Sequence, residues 1–211
     1  MKAVVKLHNY LWRPLTDSDA DTDLVLELRN NERFNRWFYH RVTRESHKKF
    51  LALAEERREI NWVVERDGQP VGVSAIYHID FVNRKAEVGR IAATDPKMFH
   101  LNWVVSAHVS DVCIGLNKLY IETLESNSII ARGVERLGMV REGLLRHHMI
   151  VDGKPVNVLV FSNVRPEWER MKESIFDHFG RPEVISYEGE RLEPLRAYMQ
   201  EPTLEQKEVA L

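Results

Sequence analysis

The side chains with the clearest chemical capacity stand on two neighbouring segments that read as strands. Glu87 interrupts an apolar run (Ala86-Glu87-Val88-Gly89), and His78 lies in Tyr77-His78-Ile79-Asp80 on the preceding strand. An isolated glutamate titrates near roughly 4.3, so Glu87 accepts protons at neutral pH only if burial raises it. An imidazole, near roughly 6.5, needs no such shift. The plain alternatives are a structural carboxylate paired to Arg84 or Arg90, and a histidine bonded to Asp80 or to water. A second group, Arg29, Arg33, Trp37 and Tyr39, places cations and planar rings on adjacent helical segments. Such a set holds an anionic ligand with a flat base, or is simply core aromatics beside a solvated charged face.

Other patterns carry less. His147 and His148 are adjacent on a predicted strand, so they point to opposite sides and cannot chelate one metal; no metal is expected. Ser126 and Ser128 lack a Gly-x-Ser-x-Gly setting, and Asp95-Pro96-Lys97 lacks phosphate-loop spacing. The lone cysteine, Cys113, sits among helical apolar positions and reads as a buried, inert thiol.

Composition sets the frame. The chain has 211 residues, 44% of them hydrophobic, which suits one ordinary domain with or without a tail and excludes a disordered chain. Thirty basic against 32 acidic residues give a net charge of -2, so no positive field exists to hold a nucleic acid. One cysteine cannot form an internal disulfide, which points to a reducing cytoplasm. The N-terminal residues lack the apolar run of a leader, and no stretch reaches the roughly 18 apolar residues of a membrane span. A soluble cytoplasmic protein with no membrane partner is expected.

The elements that must position the candidate residues follow from periodicity and caps. A strand is expected over 7–15, and Thr16 to Asp19 supply N-cap candidates for a helix interrupted at Asn30-Asn31. A short segment with Phe34, Trp37, Phe38 and Tyr39 comes next, then a helix opened by Thr43-Arg44-Glu45-Ser46. A three-strand meander covers 60–65, 71–80 and 86–93, with Asp67-Gly68-Gln69-Pro70 and Asn83-Arg84-Lys85 as turns. In it, Val71, Val73, Ala75, Tyr77 and Ile79 share one face and His78 takes the other. Asp95-Pro96 opens a helix that buries Trp103, Val104, Ala107 and Val112. A strand over 118–123 leads to a helix capped by Asn127 or Ser128 and ended by Gly138. A hairpin over 139–149 and 156–164 turns at Asp152-Gly153, a helix runs over 166–179, and a polar, irregular or partly helical tail follows. This is an α+β order, a mixed sheet with helices on both faces.

That order resembles the GCN5-related N-acetyltransferase (GNAT) superfamily, whose central sheet is mostly antiparallel. Trp12-Arg13-Pro14-Leu15-Thr16, Ala86-Glu87-Val88-Gly89, Asn127 with Leu137-Gly138-Met139 and Glu142-Gly143, and Pro166-Glu167-Trp168 are similar to the branch that contains ribosomal-protein alanine acetyltransferases. Leu28-Arg29-Asn30, Arg36-Trp37-Phe38-Tyr39 and the stretch from Tyr77 to Asn83 resemble nucleotide-aminosugar N-acetyltransferases of the pseudaminic-acid pathway type. The resemblance implies an acyltransferase domain over 1–168 with a C-terminal helical or irregular extension over 169–211. It implies acetyl-CoA, or another acyl thioester, as donor, and transfer to an amine of a nucleotide-linked aminosugar in bacterial glycan synthesis. The alternatives are a protein N-terminus or other small amine as acceptor, and a domain that has lost its donor site and serves binding or assembly. A tail that covers the site or builds a homodimer interface is left open.

The family's residues carry over one by one. Glu87 matches the glutamate that serves as base in the histone-acetylating branch, with His78 as second candidate. Backbone groups of Ile91, Ala92 and Ala93 would bind the pantetheine arm, and Asn127 matches the residue whose amide meets it, or is an ordinary helix cap. Arg29, Arg33, Trp37, Tyr39 and Tyr77 would meet the acceptor. Relatives carry a tyrosine, as acid for the departing thiolate, where this chain has Val134; Tyr120, Tyr77 and His147 are the substitutes. The family's glycine-rich diphosphate loop is also missing, replaced by Lys97-Met98-Phe99-His100-Leu101-Asn102. Side chains there should crowd a diphosphate that approaches the backbone. Three outcomes follow: binding through the helix start with charge from Lys97 or His100, a different acyl carrier, or loss of the donor. With no plausible nucleophile nearby, the expected mechanism is direct attack in a ternary complex.

Overall fold

The computed structural model describes residues 1–31 and 41–193. Its elements are β1 (Lys2–Leu7), β2 (Tyr10–Pro14), α1 (Asp19–Asn30), α2 (Arg44–Glu56), β3 (Ile60–Arg66), β4 (Gln69–Asp80), β5 (Lys85–Ala93) and α3 (Met98–Val109). A π-helical turn (Ser110–Ile114), β6 (Lys118–Leu124), α4 (Ser128–Arg136), β7 (Val140–Val151), β8 (Lys154–Val164), α5 (Arg165–Phe179) and β9 (Glu183–Glu188) complete them. The strands form one sheet in the order β7-β8-β6-β5-β4-β3-β2-β1-β9. Every neighbour pair is antiparallel except β5 and β6, which are parallel because α3 carries the chain back across the sheet.

Local signals place these elements. Ser18 caps α1 by accepting from the Asp21 amide, with acidic Asp19 and Asp21 at the positive end of the helix dipole. Thr43 and Ser46 close a reciprocal capping box on α2. Asp67 and Gly68 both take positive φ, as the tight turn between β3 and β4 requires. Helix α3 is apolar nearly all round: Met98, Leu101, Trp103, Val104, Val105, Ala107 and Val109 are buried, which makes it the central helix of the main core. Trp12, Trp62 and Phe161 fill that core beside it, and the Trp12 indole donates to Asn102 Oδ1 at 3.0 Å. On the opposite face, Val25 and Leu28 of α1 pack on Val63, Val73 and Ala92. Among the described residues no helix is long and apolar enough to cross a membrane.

The structure departs from the sequence reading in several places. The strand expected over 7–15 is β2, and a further strand, β1, precedes it in a hairpin turning at His8-Asn9. The tail is not irregular throughout, since β9 pairs with β1 and closes the sheet edge. Val112 is 38% exposed, because the helix changes to π geometry at Ser110 and turns that side chain outward. The β4 alternation fails as well. An extra residue at Val71, opposite the step from Val64 to Glu65, and another between Tyr77 and Asp80 break it, and His78 takes a positive φ of 50°. Such bulges rotate the side chains that follow, so one face no longer holds every second residue.

Candidate active site

Strands β5 and β6 pair for three residues only, ending at Glu87↔Tyr120. Arg90, at a positive φ of 53°, bulges β5 just beyond this point. The strands then part, leaving unpaired backbone on both and an open cleft of about 840 Å3 between them. Ile91 and Ala93 of β5, Ile121, Glu122 and Thr123 of β6, and Asn127 line it. A cleft of this size suits one extended small-molecule ligand.

At the point of divergence the structure gathers three of the expected residues on one carboxylate. Glu87 is 6% exposed. Its Oε1 accepts the Tyr77 hydroxyl at 2.5 Å, and its Oε2 lies 3.0 Å from His78 Nδ1. The expectation that His78 faces away from Tyr77 is corrected here: the β4 bulge swings the imidazole onto the same carboxylate. Burial raises the Glu87 pKa above the usual carboxylate value; the nearby Glu122 charge adds to this and the Tyr77 and His78 hydrogen bonds oppose it. Asp80, the other proposed partner of His78, instead accepts from the Val82 and Asn83 amides. Arg90 does not pair with Glu87 either. It stacks on the Tyr77 ring at 3.9 Å and is neutralised by buried Glu59. Arg84 donates to the Glu193 carbonyl at 2.5 Å. Arg29 stands close enough to Tyr77 and Arg90 to feel both, and burial pulls its pKa down to about 10, helped by the Arg90 charge. Arg33, Trp37 and Tyr39 lie outside the described residues. A sheet that splays open beside a buried carboxylate leaves a slot for an extended ligand next to a group able to take a proton. The acetyltransferase (GNAT) domain model matches residues 10–140.

This chain belongs to the GNAT acetyltransferase family. It is 27% identical over 178 residues to the provisionally named ribosomal N-acetyltransferase YdaF of Bacillus subtilis (strain 168), spanning 76% of this chain and 93% of that one. A spermidine N-acetyltransferase from Vibrio cholerae, solved with CoA and spermine, superimposes with a TM-score of 0.68 at 17% identity, covering 76% of this chain and 98% of that one. The ribosomal-protein-S5-alanine acetyltransferase from Vibrio fischeri gives 0.66 at 18%, covering 78% and 98%. At these identities the two structures establish the shared fold.

Phe99 and His100 of the glycine-free loop line the far end of the cleft. Met98 donates its amide to Asp95 O and Leu101 to Lys97 O, so the amides of Phe99 and His100 have no acceptor among the described residues. These are the unfilled donors a phosphate needs at a helix start. The crowding expected from Phe99 is relieved from the opposite wall. Its ring lies where a Cβ on Gly133 of α4 would stand, 2.9 Å away, so the glycine that makes room is on α4 and not on the loop. Arg132 and Arg136, one helical turn apart on α4, line the same end of the cleft and supply cations. Sequence reasoning missed them, although their spacing was visible. His100 lines the cleft too, stacked on Phe179 with ring centroids 6.3 Å apart; burial lowers its pKa, and Arg136 lowers it further. Lys97 is exposed and does not line the cleft; its amide donates to Asp95 Oδ1. Asp95 in turn accepts from the Tyr10 hydroxyl at 2.6 Å and from Arg66, which ties the loop to the β2–β3 hairpin. Ala92, expected to meet the donor, is instead buried on the α1 side and paired with Val73, and does not line the cleft; Asn127 caps α4 by accepting from the Ile130 amide.

Among the proposed thiolate acids, Tyr120 stands opposite Glu87, and burial with the Glu87 and Glu122 charges pushes its pKa up to about 12. His147 lies on the β7 bulge, outside the cleft lining, with its amide bonded to Asn157 Oδ1.

Proposed function

We propose that this acetyltransferase takes acetyl-CoA as donor and the primary amine of a protein N-terminus or of a small alkylamine as acceptor, with Glu87 as base. The Glu87 carboxylate, held by Tyr77 and His78 where β5 and β6 part, is the observation that carries this reading. The amine nitrogen forms a bond to the acetyl carbon, the carbon–sulfur bond breaks, and the thiolate leaves with the electron pair and takes up the second proton that the nitrogen sheds in becoming an amide. Unpaired amides of β5 at the parting are placed to polarise the acetyl carbonyl.

An alkylamine reaches the site as an ammonium and must lose a proton before it can attack. Glu87, with its raised pKa, takes that proton. His78, whose side chain is 57% exposed, passes it to water across the 3.0 Å contact. Tyr77 acts through Glu87, since its hydroxyl fixes Oε1 and leaves Oε2 to the relay. At the other end, the Phe99 and His100 amides with Arg132 and Arg136 would hold the donor's phosphates. The relatives named for ribosomal protein and spermidine support an amine acceptor; no feature of the described residues favours a nucleotide-linked aminosugar.

Thiol release from acetyl-CoA, followed with spermidine, with peptides beginning in alanine and with an aminosugar nucleotide, tests this. Turnover with either of the first two, lost in Glu87→Gln, is the expected result. Turnover with the nucleotide alone, or a Glu87→Gln enzyme as active as the parent at every pH, overturns it.

A further inference from the structure

Three carboxylates line the cleft: Glu87, Asp95 and Glu122. Two are filled. Glu87 is held by Tyr77 and His78, and Asp95 by Tyr10, Arg66 and the Lys97 amide. The Glu122 carboxylate makes no hydrogen bond among the described residues. The ring nitrogen that comes near it, His148 Nε2, lies at 3.9 Å, beyond hydrogen-bond range, and the Glu122 side chain keeps 23% exposure. It lies two residues past Tyr120, the last β6 residue paired to β5. That is one strand repeat, roughly 7 Å, beyond the register of the base and on the same face of the sheet. Glu87, Tyr77 and Tyr120 all lie within reach of its charge.

An ammonium carries three donors and no acceptor, and needs an acceptor that is not already engaged. Resting on the amine-acceptor reading above, we propose that Glu122 is the docking carboxylate for the acceptor's ammonium and the residue that selects cationic amines over neutral or anionic ones. His148, in the β7 bulge between Leu145 and Met149, stands 3.9 Å from Glu122, while Met149 supplies an apolar wall to the cleft. The site is therefore built for an alkyl chain ending in a positive charge. A nucleotide diphosphate would place its negative charges beside Glu122 and Glu87.

The test compares wild type with Glu122→Gln and Glu122→Asp, using acetyl-CoA with spermidine or an alanine-starting peptide. Inhibition by n-butyltrimethylammonium, a cation that cannot be acylated, is measured beside inhibition by its neutral isostere 3,3-dimethylbutyl methyl ether. Losing a charge-assisted contact should raise the acceptor KM of Glu122→Gln about tenfold or more, leave the KM for acetyl-CoA within about twofold, and weaken the cation but not the neutral isostere. Glu122→Asp should recover part of the loss. An unchanged acceptor KM, a loss confined to kcat, or equal weakening of cation and isostere overturns the inference while leaving acyl transfer intact. A wild-type enzyme that acylates no amine in the panel overturns the acyl-transfer reading itself, and this inference with it.

Discussion

Replacing Tyr77 with Phe removes one oxygen from the Glu87 cluster and little else. The ring stays clamped under Arg90 at 3.9 Å, so the change falls on the 2.5 Å hydrogen bond to Oε1. A hydrogen bond to a charged acceptor contributes about 1.5–3 kcal/mol. At about 1.4 kcal/mol per pK unit, its loss raises an already raised Glu87 pKa by roughly one to two further units. The assay is the pH profile of kcat/KM for the acceptor. Its rising limb should move to higher pH by that amount, with activity below the limb down about 10- to 100-fold and convergence on the wild type above it. The acceptor amine titrates identically with both enzymes, so the displacement between the two curves isolates Glu87. Stability follows the same sign. A folded-state pKa above the ordinary carboxylate value contributes stability that is present below that ordinary value and is lost as pH rises through the folded pKa. Tyr77→Phe deepens this loss, and thermal melts at neutral pH should fall by more than melts near pH 4. A uniform drop in activity at every pH, with the limb unmoved, would show that Tyr77 places the carboxylate without governing its charge.

Four other substitutions probe the donor end, the Asp21–Arg13 contact at the start of α1, and the C-terminal strap at Arg191-Leu192 that lies along the π-helical turn. Arg132→Ala and Arg136→Ala should each weaken coenzyme A binding, measured by calorimetry, about three- to tenfold, because these exposed side chains act partly through screened charge; the effect should shrink in high salt. Buried Asp21 accepts two hydrogen bonds from the Arg13 guanidinium and two from Thr16. Asp21→Ala should cost roughly 2–3 kcal/mol in denaturant melts, somewhat less than for a fully buried pair because Arg13 is 30% exposed. Burial pushes the Asp21 pKa up, but the Arg13 and Thr16 hydrogen bonds outweigh it and leave it below the usual value, so its stabilisation holds above pH 4 and disappears as pH falls through the folded pKa. Gly115 combines a φ of 82° with a Leu192 carbonyl only 2.7 Å from any added Cβ. Gly115→Ala should cost about 2 kcal/mol and lower Tm by roughly 4–8 °C. It should also speed protease cleavage of the strap, where Arg191 donates to the Val112 carbonyl and the Leu192 amide to that of Ile114. An unchanged melt would show that the strap does not depend on this contact.

Most elements of this fold are legible as local chemistry. Ser18, Thr43 with Ser46, and Asn127 announce three helices because a cap is a contact between residues two or three positions apart. The Asp67-Gly68 and Asp152-Gly153 turns announce two hairpins for the same reason. Glu87, His78 and Tyr77 are also visible as candidates, since they sit on adjacent strands of a recognisable meander. What is not legible depends on separations along the chain that no periodicity encodes. Strand β1 finds β9 across some 180 residues, with Lys2 opposite Glu188, and nothing local to either segment names the other as its partner. The bulge that turns His78 onto Glu87 is one residue of positive φ, invisible to a rule of strict alternation. Gly133 matters only because the Phe99 ring reaches it from another helix, and Glu122 only because every other cleft carboxylate is already engaged. Caps, turns and face patterns are set by neighbours along the chain and can be read there. An open strand pair, a vacant carboxylate and a filled one differ only in what distant residues bring to them, and folding alone supplies that.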